Sequence, residues 1–215
     1  MNTLGGRLTL LVLAVIFLVV SASASVLYVD LNSSNPTPPY SNWSTAATNI
    51  QDAVNAANPG DQVLVSDGIY KVGQTSKSGN NRVAVTNAIS LQSVNGPRAT
   101  RIDGGHTVRC VYLASGATIS GFTLTNGSSS SGGGIYCQSS SAIVSNCVIA
   151  ANFTSGSGGG GIYGTYISCL VIGNTATSVG TSGGGISYGY LTNTLLAANT
   201  SGSAGGGVGR ITLRH

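Results

Sequence analysis

The chain has 215 residues, 41% of them apolar and only 7% charged, with a net charge of +4 and an isoelectric point near 9.0. The nine basic residues are scattered and form no run that would track a phosphate backbone, so sparse charge explains the isoelectric point and nucleic acid is excluded as a partner. Thirty-two glycines, with many Ser, Thr and Asn, alternate with apolar phrases, which favours an ordered repeat over a disordered tract.

Residues 1–24 read as an export signal. Arg7 is the only charge, residues 8–20 form an apolar run, and Ala22-Ser23-Ala24 offers a small-residue cleavage site before Ser25. The run falls short of the ~20 residues that span a bilayer, so no membrane span is expected once the signal is removed. No cysteine follows the cleavage site to take a lipid anchor. The expectation is a secreted or cell-surface protein whose residues 25–215 form one domain.

Residues 26–31 predict a strand and the proline-rich residues 32–40 a loop. Residues 47–57 predict a helix: Ile50, Ala53, Val54 and Ala57 fall on one face, and Asn58-Pro59-Gly60 stops it. This helix is placed to cap the open end of a stack. Residues 63–65, 83–94 and 101–124 predict further short strands, separated by turns such as Asp67-Gly68 and Asp103-Gly104.

From Gly116 onward the chain repeats. Gly-Gly-Gly-Ile ends at Ile135, Ile162 and Ile186, a fourth copy ends at Val208, and successive copies lie 27, 24 and 22 residues apart. Between them recurs Val144-Ser-Asn-Cys147-Val-Ile149-Ala-Ala-Asn152, matched by Tyr166 to Asn174 and by Leu191 to Asn199. A period of this length means stacked coils. Each coil is expected to supply three short strands, stacked at ~4.8 Å on those of its neighbours. Ile135, Ile162, Ile186 and Val208 are expected to form one inward column, and Ile149, Val171 and Leu196 another. Asn152, Asn174 and Asn199 follow, where Asn tolerates left-handed backbone and bonds the next coil's amide.

Leucine-rich repeats would need a denser Leu pattern, calcium-binding nonapeptides an Asp in each copy, and helical repeats far less glycine. The fold class is therefore all-β: a single-stranded right-handed parallel β-helix, a solenoid with a short N-terminal capping helix. The stretch Ile50-Gln-Asp-Ala-Val-Asn-Ala-Ala, Pro59-Gly-Asp-Gln-Val-Leu-Val, Asp67-Gly-Ile-Tyr70 resembles the cap and first coil of pectin-lyase-like β-helix proteins. The Gly-Gly-Gly-Ile blocks, paired with Ile149-x-x-Asn152 and its two counterparts, are similar to polymorphic outer-membrane-protein adhesin repeats, with Gly in place of Ala and aliphatics in place of Phe. The resemblance covers nearly all of residues 25–215. It implies fold more than activity, since this fold carries both enzymes and inert surface proteins.

Between Cys110 and Gly209 there is no Asp, Glu, Lys, Arg or His, and the whole chain lacks glutamate. Glycosidic hydrolysis uses two carboxylates, and the resemblance implies Asp-bound calcium with an Arg or Lys base for a lyase; the regular coils offer neither. One charged segment, Arg98 to Arg109, supplies the alternative catalytic set Arg101, Asp103, His106 and Arg109. Against it stands a plain structural reading, in which Asp103-Gly104 is a turn. His106 has no second ligand spaced to share a metal, so no cofactor or metal is expected. His215 is terminal and uninformative.

Cys110, Cys137, Cys147 and Cys169 make an even count in an exported chain. Cys147 and Cys169 hold the same repeat position, where a ~4.8 Å stacking distance exceeds the ~3.8 Å that a disulfide prefers between Cβ atoms. They read as a buried thiol column, with a strained bridge as the alternative; pairing of Cys110 with Cys137 stays open. Tyr136 and Tyr163 each follow an inward Ile, so alternation points both outward, as a platform for sugar rings or as a cross-strand pair that steadies the sheet. Ser187 in the third copy makes this ladder short, while Tyr166, Tyr188 and Tyr190 either widen it or pack inside. The repeat breaks off after Val208, so the domain is expected to be truncated there or to self-associate end to end. The overall expectation is a non-catalytic interaction module that binds polysaccharide or a cell-surface glycan, or mediates adhesion. Its alternatives are a polysaccharide lyase or hydrolase, and a structural spacer.

Overall fold

A computed structural model describes residues 23–178, 183–202, 205–210 and 212–213. All but the last residues of the export signal, and His215, lie outside the described residues. The chain winds into a right-handed parallel β-helix of about six turns.

Among the described residues, successive coils contribute to four sheets, of eight, six, four and seven strands. Sheet 1 has eight strands, from Val26–Val29 and Gln62–Val65 through Thr118–Ser120 and Ile143–Ser145 to Thr212–Leu213. Sheet 2 has six, from Gly68–Tyr70 and Thr100–Asp103 to Leu195–Ala197. Sheet 3 has four two-residue strands: Ser128–Ser129, Phe153–Thr154, Thr175–Ala176 and Thr200–Ser201. Sheet 4 has seven, including Asn80–Val85, Arg109–Leu113, Ile135–Cys137, Gly161–Ile162 and Ile186–Ser187. The expectation of three strands per coil therefore holds for the first coils only; from Ser128 a fourth strand is inserted before each glycine block.

In the middle coils of sheets 1 and 2, strands such as Ile143–Ser145, Val148–Ala150, Thr165–Ile167 and Leu170–Ile172 bury the central side chain and leave its neighbours half-exposed, the period-two pattern of a sheet packed on one side. Ile102, Leu124, Ile149, Val171 and Leu196 stack in register inside sheet 2. Leu91, Ile119, Val144, Tyr166 and Leu191 do so inside sheet 1. The expected column in sheet 4 is corrected at one place. The second block has four glycines, which slides the chain by one residue, so that Gly161 stands between Ile135 and Ile186, while Ile162 pairs with Tyr136 and Ser187. The missing side chain is replaced from the adjoining sheet: a Cβ on Gly161 would lie 2.4 Å from the hydroxyl of Tyr166, which is fully buried.

The glycine blocks exist because neighbouring coils touch there, backbone to backbone. A Cβ on Gly133 would come within 2.0 Å of the Phe153 carbonyl oxygen of the next coil. The asparagines also differ in detail from expectation. Left-handed backbone falls one residue earlier, at Asn126, Ala151, Gly173 and Ala198. Each Asn side chain reaches the preceding coil: Asn174 Oδ1 accepts from Asn152 N at 3.0 Å, and Asn174 Nδ2 donates to Ile149 O at 2.9 Å. Asn199 repeats both bonds, to Asn174 N and Val171 O.

The helix spans Ile50–Ala56, shorter than the periodicity predicts because Asn49 is its N-cap, with Oδ1 accepting from Asp52 N. Ala47 instead pairs with Val29 as a β-bridge. Ile50, Ala53 and Val54 face the core. Gln51 accepts from Ala84 N at 2.7 Å and donates to Ala84 O at 3.2 Å. Its side chain takes the place of a further strand on the sheet 4 edge, which is how the helix caps the stack.

Candidate functional site

Val111-Tyr112 lies in register with Ile135-Tyr136. The two outward rings stack with centroids 5.8 Å apart and planes 8° from parallel. Tyr136 meets Tyr163 edge-to-face at 5.9 Å and 80°. Tyr163 is followed at 5.7 Å by Tyr188. The one-residue slide explains the change of angle: Ile162, not Tyr163, is the strand partner of Tyr136, and Tyr163 sits beyond the strand end with a left-handed φ of 55°. Tyr188 has the equivalent backbone, φ 57°. The ladder thus contains four tyrosines where the spacing predicted two, because the Ser187 position is bypassed and Tyr188 supplies the ring.

Tyr112 is buried, Tyr136 and Tyr188 are half-buried, and Tyr163 is 37% exposed. Each aromatic pair contributes about 0.5–1.5 kcal/mol beyond the area it buries. Guanidinium groups adjoin two of the rings, Arg109 at 5.1 Å from the Tyr136 ring centre and Arg210 at 6.0 Å from that of Tyr188 at the ladder's C-terminal end. Tyr166 packs wholly inside, and Tyr190 stands half-buried on sheet 1 beside Thr165.

The charged segment divides among separate surroundings. Arg101 is exposed on sheet 2 between Ile69 and Thr123. The Asp103 carboxylate accepts from Gly105 N at 2.8 Å within its own turn and from Asn126 Nδ2 of the next coil at 3.0 Å. His106 is exposed in that turn with φ 59°. Arg109 is buried in sheet 4. It donates to Asn81 Oδ1 at 2.6 Å, Ser129 Oγ at 2.9 Å and the carbonyl oxygens of Ser78, Ser131 and Gly132 at 2.9–3.1 Å. These bonds occupy its nitrogens and tie two segments, residues 78–81 and 129–132, to sheet 4. Burial lowers the guanidinium to about 10, so it is charged at neutral pH. Arg109 is thus turned away from Arg101, Asp103 and His106.

All four cysteines are buried free thiols. Cys110 lies three residues out of register with Cys137, and its Sγ donates to Thr125 O at 3.1 Å. Burial pushes the Cys110 and Cys137 thiols up to about 12 and Cys169 up to about 11, and raises Cys147 as well. None is poised as a nucleophile. Among the described residues no group of three His, Cys, Asp or Glu could hold a metal ion.

The architecture is that of the parallel β-helix proteins. Among solved structures the chain is similar to the crystal structure of pectate lyase Pel9A, with a TM-score of 0.54 and 16% identity over 80% of this chain and 48% of that one. The chain spans about half the length of that lyase, and at this identity the likeness is one of fold alone. No protein-family model and no curated protein sequence matches the chain.

Proposed function

We propose that this protein is an exported, non-catalytic β-helix module that binds polysaccharide along its tyrosine ladder. The observation that carries this reading is the run Tyr112, Tyr136, Tyr163 and Tyr188, continuous over four coils with Tyr163 open to solvent. Aromatic faces stack on the C–H faces of sugar rings, and a rigid solenoid presents them without an ordering cost on binding. Residues 1–24 carry the sequence character of a secretory signal, which supports a secreted or cell-surface location. Burial of Arg109 among its own hydrogen-bond partners, and engagement of the Asp103 carboxylate by Gly105 and Asn126, support a module without lyase or hydrolase activity.

Glycan-array binding tests the proposal, comparing the protein with a Tyr136→Ala/Tyr163→Ala variant whose far-UV circular dichroism is unchanged. Binding that disappears in the variant supports the ladder as the site. Binding that persists refutes it. Release of unsaturated product from an acidic polysaccharide, abolished by Asp103→Ala, would overturn the non-catalytic reading.

A further inference from the structure

A second site of different chemistry lies at the N-terminal end, on the turns that follow sheet 1. Val29, Val65 and Ser93 are register neighbours in three successive strands, so Asp30, Ser66-Asp67 and Asn95 emerge together just beyond the strand ends. They line a pocket of about 370 Å³ with Trp43 as its aromatic wall, within the ~300–1,000 Å³ range of ligand sites. Trp43 is the only tryptophan of the chain and is 43% exposed. Its position is fixed: the indole packs edge-on against Tyr28 at 4.6 Å, and Asn42 caps its short helical turn by accepting from Thr45 N.

The polar groups are only partly used. Asp30 Oδ1 accepts from Asn32 N at 2.9 Å, and among the described residues its Oδ2 has no protein partner. Asp67 accepts from Asn95 Nδ2 at 3.0 and 3.2 Å, which leaves lone pairs on both oxygens. We infer that this pocket binds a neutral pyranose, stacking its C–H face on Trp43 and accepting its hydroxyls on Asp30 and Asp67. An exposed indole beside fixed carboxylate and amide groups supplies both halves of that recognition. Among the described residues no basic side chain lines the pocket, so the two carboxylates repel a uronate or sulfated chain. A divalent cation fits less well, because the Asn95 amide donates to both Asp67 oxygens and places positive charge where the ion would sit.

The single tryptophan makes intrinsic fluorescence a local reporter. The full chain is titrated with neutral cello-, xylo- and manno-oligosaccharides, with oligogalacturonates, and with calcium chloride. The expected result is a saturable emission change with at least one neutral series, weakened about tenfold or more, some 1.4 kcal/mol, in both Asp67→Ala and Asp30→Asn. Asp67 is exposed, and Asp67→Asn provides a conservative replacement should the alanine variant lose its circular dichroism. The Tyr136→Ala/Tyr163→Ala variant keeps the response, which separates this site from the ladder. No saturable change with any neutral series, a response confined to oligogalacturonates, or a calcium response that neutral sugars leave unaltered overturns the inference.

Discussion

Replacing Gly161 by alanine probes the register slide from which the unequal ladder follows. The backbone of Gly161 accepts an L-residue, so the cost of the change lies in space alone. The new methyl would stand 2.4 Å from the Tyr166 hydroxyl, 3.0 Å from Ile135 Cγ2 and 3.1 Å from Ile186 Cδ1. The two isoleucine contacts need shifts of a few tenths of an ångström, whereas the hydroxyl must move far more inside a closed core. Overpacking of this kind costs about 1–3 kcal/mol, and Gly161→Ala is expected near the upper end. Tyr166→Phe removes the obstructing atom. Among the described residues its hydroxyl bonds Cys137 Sγ alone, at 3.9 Å, so that change by itself is expected to cost about 1 kcal/mol or less. The double variant should then recover stability, with a favourable coupling of about 1–2 kcal/mol in a double-mutant cycle. Urea unfolding followed by circular dichroism measures all four forms, and a 1 kcal/mol step corresponds to roughly 2–4 °C in Tm for a domain of this size. Additive effects within about 0.5 kcal/mol would refute the claim that Tyr166 fills the space of the absent side chain.

Asn174→Ala removes four hydrogen bonds, to Asn152 N, Asn152 Nδ2, Ile149 O and Asn199 Oδ1, from a buried position. It should cost more than about 3 kcal/mol in denaturant unfolding, and clearly more than Asn199→Ala at the half-buried end of the ladder. Ala151→Gly relieves a left-handed alanine, φ 54°, at the position where the next coil already has Gly173. Relief of about 1–2 kcal/mol against a glycine entropy cost of about 0.5–1 predicts a small rise in thermal stability. The four thiols should ignore a water-soluble disulfide reagent in the folded protein and react fully on denaturation. Their raised pKa values mean the folded chain keeps protons that the unfolded chain releases above the ordinary value of 9.0. Stability from this source is therefore intact below pH 9 and falls as pH rises toward 11–12, by up to ~1.4 kcal/mol per pH unit per thiol. A flat pH 9–10 profile would contradict their burial.

The fold was legible because a solenoid is a local rule repeated. Ile149, Val171 and Leu196 recur at the coil period, and a period of that length leaves stacking as the way to bury such short strands. The helix at Ile50–Ala56 was legible from its spacing, and its N-terminal limit was set by Asn49, a capping signal available in the sequence. Tyr136 and Tyr163 were visible as ladder residues for the same reason. What periodicity could not settle was register, since one residue more or less in a glycine run changes which face each following side chain takes. The extra glycine of the second block put Gly161 in the core column, left room there for the Tyr166 side chain and carried Tyr163 past the strand end, where Tyr188 could follow it. Tyr112 joined the ladder from a coil without a glycine block, so no repeated phrase marked it. The Trp43 pocket was likewise invisible along the chain, because Asp30, Trp43, Asp67 and Asn95 belong to different coils and a loop. Sequence determined that coils stack; the close contact between coils decided which side chains face one another.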